Sequence, residues 1–276
     1  MIKKMILVIF SLFFTTTLVA NGKKNINFAP LPTKSSVQNT KEFLPVNRYL
    51  EKKLSLKIHY IHKKDYRDIL DGFKNGTIDI AYLGPLPFVS LKKEYKYAQP
   101  IVTFKQSNGL AKYRCVIAKF KDDKFDKTKQ FKVALTQPLS TCGYLMTNIL
   151  LKSKFNLELE NQKYNYTMSH TNALLSVLKG EYLLAGAKKS IAKKHESLGM
   201  EIIAQSELLP GFSLVVNTKT LSKEQIKQIQ NSLLSVSSKE YKQWGGITVN
   251  GLEKANIDDY NSLHVDFKIP QKGNIR

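Results

Sequence analysis

Cysteine is scarce. The 276 residues contain two, Cys115 and Cys142, which excludes a small disulfide-stapled scaffold and any four-cysteine metal site. Five histidines (His59, His62, His170, His195 and His264) fall at none of the zinc-ligand spacings, so no metal or other cofactor is expected. There is no G-x-S-x-G turn and no assignable carboxylate–His–Ser set, so the sequence does not read as an enzyme. Acidic residues are few, 22 against 43 Lys and Arg, for a formal net charge of +21. The lysines are spread along the whole chain, without an arginine-rich arm or an interleaved aromatic–basic motif. That pattern predicts a solvated basic surface with a mild pull on anions rather than a nucleic-acid binder. Long apolar runs are missing too: Met5 to Phe14 is too short for a comfortable membrane span.

What that short run does resemble is a leader. Lys3-Lys4, the apolar stretch and the small residue Ala20 read as a secretory signal peptide over residues 1–20. No cysteine follows it, so a lipid anchor is not indicated. The expected location is the periplasm. The remainder is long enough for one large or two medium domains, and the apolar content of 42% is ordinary for a globular protein.

Short apolar strands alternate with amphipathic helices. Asn25 to Ala29, Leu56 to Ile61 and Ile78 to Leu83 read as strands, with helices over Lys41 to Leu54 and from the Asp65 cap to Gly76. Tyr113 to Lys119 is a longer strand suited to crossing between domains. The stretch Phe131 to Leu151, FKVALTQPLSTCGYLMTNILL, is the most informative. A buried strand breaks at Gln137-Pro138-Leu139, and a helix opens at Ser140-Thr141-Cys142-Gly143. Hydroxyls, free backbone N–H groups and the positive helix end then converge, which is the chemistry of an oxyanion seat or of an ordinary N-cap. Further units follow: Lys163 to Met168 with His170 to Lys179, and Tyr182 to Ala187 with Ser190 to Leu198. Strands at Glu201 to Gln205 and Gly211 to Asn217 and a helix over Leu221 to Val236 come next, and Asn250 to Leu263 completes the domain. The expected fold is α/β with mostly parallel sheets in two lobes, residues 21–113 with 210–276 and residues 114–209. Two hinge crossings, near Tyr113 and Pro210, would leave an interlobe cleft facing the carboxyl ends of the strands.

The chain resembles the substrate-binding proteins of phosphonate/phosphite/phosphate-type ABC importers. The resemblance is carried by Leu44-Pro45 with Tyr49-Leu50, Asp65-Tyr66, and Gly76-Thr77-Ile78-Asp79-Ile80-Ala81-Tyr82-Leu83-Gly84-Pro85. Tyr113 with Val116, Ser140-Thr141-Cys142-Gly143, His170-Thr171-Asn172-Ala173-Leu174 and Leu209-Pro210-Gly211 follow in the same order. It covers residues 25 to 265, and the order and spacing of the motifs make it specific. The resemblance implies a monomeric protein that closes two lobes around a small phosphorus oxyanion and hands it to a membrane permease driven by an ATPase. It further implies that Tyr66, Tyr113, Ser140, Thr141, Cys142 and His170 contact the ligand.

Two departures matter. Aminophosphonate-binding relatives hold an ammonium group with carboxylates, and the corresponding positions here read as Ser190 and Phe212, with Leu183 where an Asp is common. A purely anionic ligand such as phosphite, phosphate or a simple phosphonate therefore fits better than an amino-alkyl one. Lys188 and Lys189 read as a solvated pair that can lend charge. The second departure is sulfur: Cys115 shares a strand face with Tyr113, and Cys142 sits in the anion turn. The pair reads as two small buried residues, as a disulfide, or as two thiolates for a soft ligand such as arsenite. That last reading belongs to an alternative function, an oxyanion sensor signalling to a histidine kinase.

Overall fold

Capping chemistry sets where the first helix begins. In the computed structural model, which describes residues 22–261, 263 and 269–275, the Ser35 hydroxyl accepts from the Gln38 N–H, and the Gln38 side chain returns to the Ser35 N–H. This capping box satisfies first-turn amides, so helix α1 runs Ser36–Leu54, starting before the expected Lys41 and continuing through Pro45. It joins β1 (Asn25–Ala29) to β2 (Lys57–Tyr60). Helix α2 (Tyr66–Lys74), capped by Asp65, leads to β3 (Ile80–Leu83), and α3 (Pro85–Glu94) follows at once. The expected leader and part of the last predicted segment lie outside the described residues.

Strand β4 (Ala98–Phe104) has no counterpart in the sequence reading. Pro100 interrupts its apolar run, and proline argues against a central strand. The structure seats Pro100 at a register shift opposite Val215, where a ladder donor is dispensable. A two-residue β5 (Lys112–Tyr113) leads into β6 (Cys115–Phe120), then β7 (Lys132–Leu135), α4 (Met146–Phe155) and β8 (Lys163–Tyr166). Next come α5 (His170–Leu178), β9 (Leu184–Lys188), the single turn α6 (Lys189–Ala192) and β10 (Met200–Gln205). After β11 (Leu209–Pro210), β12 (Ser213–Asn217) returns to the first sheet, followed by α7 (Lys223–Leu234), α8 (Ser238–Trp244) and β13 (Leu252–Lys254).

The strands form a six-stranded sheet, β13-β4-β12-β3-β1-β2, and a five-stranded sheet, β10-β6-β9-β7-β8. A third ladder pairs β5 with β11, Tyr113 opposite Leu209, so the two crossings run side by side as one ribbon. The sheets are mixed rather than mostly parallel. Strands linked through helical crossovers, β1 with β2 and β3, and β7 with β8 and β9, pair in parallel. Strands entering from the crossings, β12 and β6, pair antiparallel with their neighbours. Parallel pairing needs a long crossover, and a strand arriving through the ribbon has none in its own sheet. The terminal segment reaches the five-stranded sheet as well: Asn274 Oδ1 accepts from the Tyr164 N–H at 2.7 Å on the free edge of β8. No described helix is long and apolar enough to cross a membrane.

Candidate anion-binding site

The turn after β7 is wider than an ordinary helix start. Thr141–Leu145 forms a π-turn before α4 begins, where the sequence predicts a helix opening at Ser140. π-Turns widen the backbone and gather at functional sites. Ser140 Oγ accepts from the Gly143 N–H at 3.0 Å, and Thr147 Oγ1 donates to the Cys142 carbonyl at 2.8 Å. The turn packs so closely on the end of β7 that a Cβ on Gly143 would lie 1.9 Å from Thr136 Oγ1 and 2.6 Å from Thr136 Cβ. Gly143→Ala is therefore expected to lower stability by about 1–3 kcal/mol and to push the turn off its seat. Chemical denaturation checks the first effect, and ligand titration the second.

The start of α3 faces this turn. Gly84 caps it without a side-chain bond, and Pro85 and Pro87 carry no N–H. Leu86 is left as the donor among the first three helical residues. Its N–H donates to Thr141 Oγ1 at 3.0 Å, bringing the two helix starts together.

All six residues predicted from sequence line one chamber here: Tyr66, Tyr113, Ser140, Thr141, Cys142 and His170. The space between them is about 10 Å³, roughly enough for one water. Leu31, Tyr66, His170, Lys188 and Phe212 also line an adjoining vestibule of about 430 Å³.

The chamber is rich in donors. Burial drives the Tyr66 and Tyr113 hydroxyls far above the usual phenol range, so both stay protonated. The Tyr113 hydroxyl is shielded from solvent and has no partner of ordinary hydrogen-bond geometry, although Thr141 is near enough to moderate its shift. His170 Nδ1 is likewise shielded and unpartnered. Burial, and then the charge of Lys188, pull the imidazole down to about 4, while the Gly186 backbone opposes them. The ring is therefore neutral at neutral pH.

Lys188 is the residue that sequence reasoning misplaced. Rather than joining Lys189 in solvent, it points inward over the rings of Tyr113 at 5.1 Å and Phe212 at 5.6 Å, and donates to Gln106 Oε1. Burial lowers it to about 8. Lys189 turns away and donates to Gln205 Oε1 at 2.6 Å. The one sequence signal was the buried run Leu184–Ala187 that Lys188 ends.

Of the three readings the sequence leaves open for the two cysteines, the structure takes the disulfide. The bond joins the first residue of β6 to the anion turn, and no free thiol remains. Cys142 keeps its place in the chamber wall, but its sulfur is committed to Cys115, and the soft-ligand reading loses its thiolates. Phe212 stacks on Tyr82 with ring centres 5.1 Å apart, and Leu183 and Ser190 lie outside chamber and vestibule. No carboxylate among the described residues lines the chamber. Among the described residues no cluster of three or more His, Cys, Asp or Glu is placed to hold a metal.

Comparison with known proteins gives a consistent picture. A family model described as ABC transporter, phosphonate, periplasmic substrate-binding protein matches residues 28–260. The phosphonates-binding periplasmic protein of Escherichia coli is 25% identical over 226 residues, covering 74% of this chain and 66% of that protein. The phosphate-import protein PhnD of Mycolicibacterium smegmatis is 26% identical over 127 residues, 44% of this chain and 40% of its own. The chain thus spans just under two thirds of the first relative's length and two fifths of the second's. Among solved structures, PhnD1 of Prochlorococcus marinus in complex with methylphosphonate superposes with a TM-score of 0.73 at 17% identity, covering 86% of this chain and 94% of that one. A binding-protein component of an ABC phosphonate transporter from Pseudomonas aeruginosa gives 0.73 at 20% identity, covering 86% and 83%. The fold is that of a two-lobed periplasmic binding protein. With its pattern matched from the first strand to beyond the last, the chain belongs to the periplasmic substrate-binding family of phosphonate ABC transporters, a family of binding proteins rather than enzymes.

Proposed function

We propose that this protein captures a phosphonate, or a smaller phosphorus oxyanion such as phosphite or phosphate, and delivers it to an inner-membrane permease driven by an ATPase. It acts as a monomer in the periplasm after loss of residues 1–20. One observation carries the reading: the six residues picked from sequence converge with Lys188 on a chamber that no described carboxylate lines. Each group suits a phosphoryl oxygen. The protonated tyrosines and the Ser140 and Thr141 hydroxyls donate, neutral His170 donates through one nitrogen, and Lys188 supplies the counter-charge.

The Leu86–Thr141 hydrogen bond bridges the place the anion must enter. An incoming oxygen takes the Leu86 N–H from Thr141, and the hydroxyl turns to donate to the anion. Lobe 21–113 with 210–276 and lobe 114–209 then hinge about the paired crossings to enclose it.

Thermal unfolding with methylphosphonate and with inorganic phosphate tests this. A hundredfold excess over the dissociation constant adds about 2.7 kcal/mol to native stability. Thr141→Val should lose most of that gain, and Thr141→Ser, which keeps the hydroxyl, should retain it. A valine variant stabilised as fully as the parent sinks the site.

A further inference from the structure

The vestibule is far larger than a phosphonate head requires. Its volume of about 430 Å³ lies within the range of sites that enclose organic ligands. It joins the chamber at Tyr66, His170, Lys188 and Phe212, so a substituent on phosphorus has this space as its way out.

Its walls and its charges point to different parts of such a substituent. The walls are rings held rigidly against one another: Tyr82 stacks on Phe212 at 5.1 Å, and Phe43 and Phe104 meet Tyr82 edge-on at 5.0 Å each. These surfaces suit a short carbon chain. Among the described charged residues lining the space, Lys34, Lys105, Lys188 and Lys194 stand against a lone carboxylate, Glu42, and that carboxylate is occupied by an ion pair with Lys34. Lys105 has only a loose pairing with Glu253 at 3.9 Å, and Lys194 has no carboxylate partner among the described residues. Thr136 Oγ1, on a side chain 2% exposed that lines the same space, has no hydrogen-bond partner.

Among the described residues, an ammonium-ended substituent would meet excess positive charge and no free carboxylate. A neutral alkyl end would use the rings and leave Lys105, Lys194 and the Thr136 hydroxyl unmatched. An anionic end uses all of them. Building on the proposed oxyanion site, we infer that the preferred substrates are phosphonates whose short carbon chain ends in a second acidic group, that is, phosphonocarboxylates. The phosphonate head takes the chamber, and the carboxylate faces the lysine side of the vestibule.

Calorimetric titration of the mature protein with 3-phosphonopropionate, propylphosphonate, 2-aminoethylphosphonate and methylphosphonate tests this. The acid-ended ligand is expected to bind at least tenfold more tightly than propylphosphonate, its neutral-ended counterpart, with the advantage shrinking as salt rises. In a Lys105→Gln/Lys194→Gln variant the ratio between those two ligands should fall toward one. Equal affinities in the parent protein, or tightest binding of the amino-ended ligand, would overturn the inference while leaving the phosphonate site standing. Binding of none of the four, methylphosphonate included, would overturn the underlying site as well.

Discussion

Lys188→Met is expected to weaken phosphonate binding by about ten- to a hundredfold while leaving the empty protein as stable as the parent, or more so. The two halves have one cause. Burial lowers Lys188 from 10.5 to about 8, so in the empty protein its charge is held at a cost of about 3 kcal/mol. The sign follows from proton counts: between about pH 8 and 10.5 the unfolded chain binds the proton and the folded one does not. Stability is therefore lost as pH falls through that window, and the full cost is present at neutral pH. Methionine keeps the stem that packs on Tyr113 and Phe212 and removes the charge. A bound anion does the opposite: it sits beside the ammonium, restores its affinity for the proton, and adds a charge-assisted hydrogen bond of about 1.5–3 kcal/mol. Parent affinity should accordingly fall above about pH 8, with proton uptake on binding, whereas the methionine variant should lose both the uptake and this step in its pH profile. Titration calorimetry in two buffers of different ionisation heat measures both. Parent-like affinity in Lys188→Met would remove the lysine from the site.

Why Lys188 escaped the sequence reading, while the six other residues did not, is a matter of range. Ser140, Thr141 and Cys142 sit in one local motif, a strand broken by Gln137-Pro138-Leu139 and followed by favoured caps, and such a motif is visible within a few residues. Tyr66, Tyr113 and His170 enter through the family resemblance rather than a local motif. The structure places Tyr66 after the Asp65 cap and His170 after the Ser169 cap, each at a helix start. The rings that turn Lys188 inward come from β5 and from the return segment, and nothing near Lys188 in the chain announces them. Locally it is one more lysine in a basic protein. The mixed sheets were hidden for a related reason. Alternation of strand and helix suggests parallel pairing, but the direction of β6 and β12 is fixed by the ribbon through which they enter, a feature only two residues long on each side. Pro100 masked β4 because its acceptability depends on a register shift between β4 and β12.

The disulfide has the same long-range character and the second large expected effect. Cys115 is 0% exposed and Cys142 2%, and the bond closes a sequence separation of 27. Constraint of the unfolded chain over such a loop contributes about 3–4 kcal/mol in the chain-entropy account. A Cys115→Ala/Cys142→Ala variant should therefore unfold about 6–15 °C earlier, and the parent should show a similar difference between oxidised protein and protein reduced while unfolded. Adding reductant to the native protein should do little at first, because a buried sulfur is attacked only when the structure opens. Ligand affinity is expected to suffer less than stability, by about tenfold or under. The turn keeps its Ser140–Gly143 and Thr147–Cys142 hydrogen bonds and the packing of Gly143 on Thr136, so the bridge reinforces a geometry that local contacts already define. Two free thiols titrated in denatured, unreduced protein would show that the bond does not form in solution. A loss of all binding in the alanine pair, with the fold intact by circular dichroism, would instead make the bridge the element that places Thr141 against Leu86.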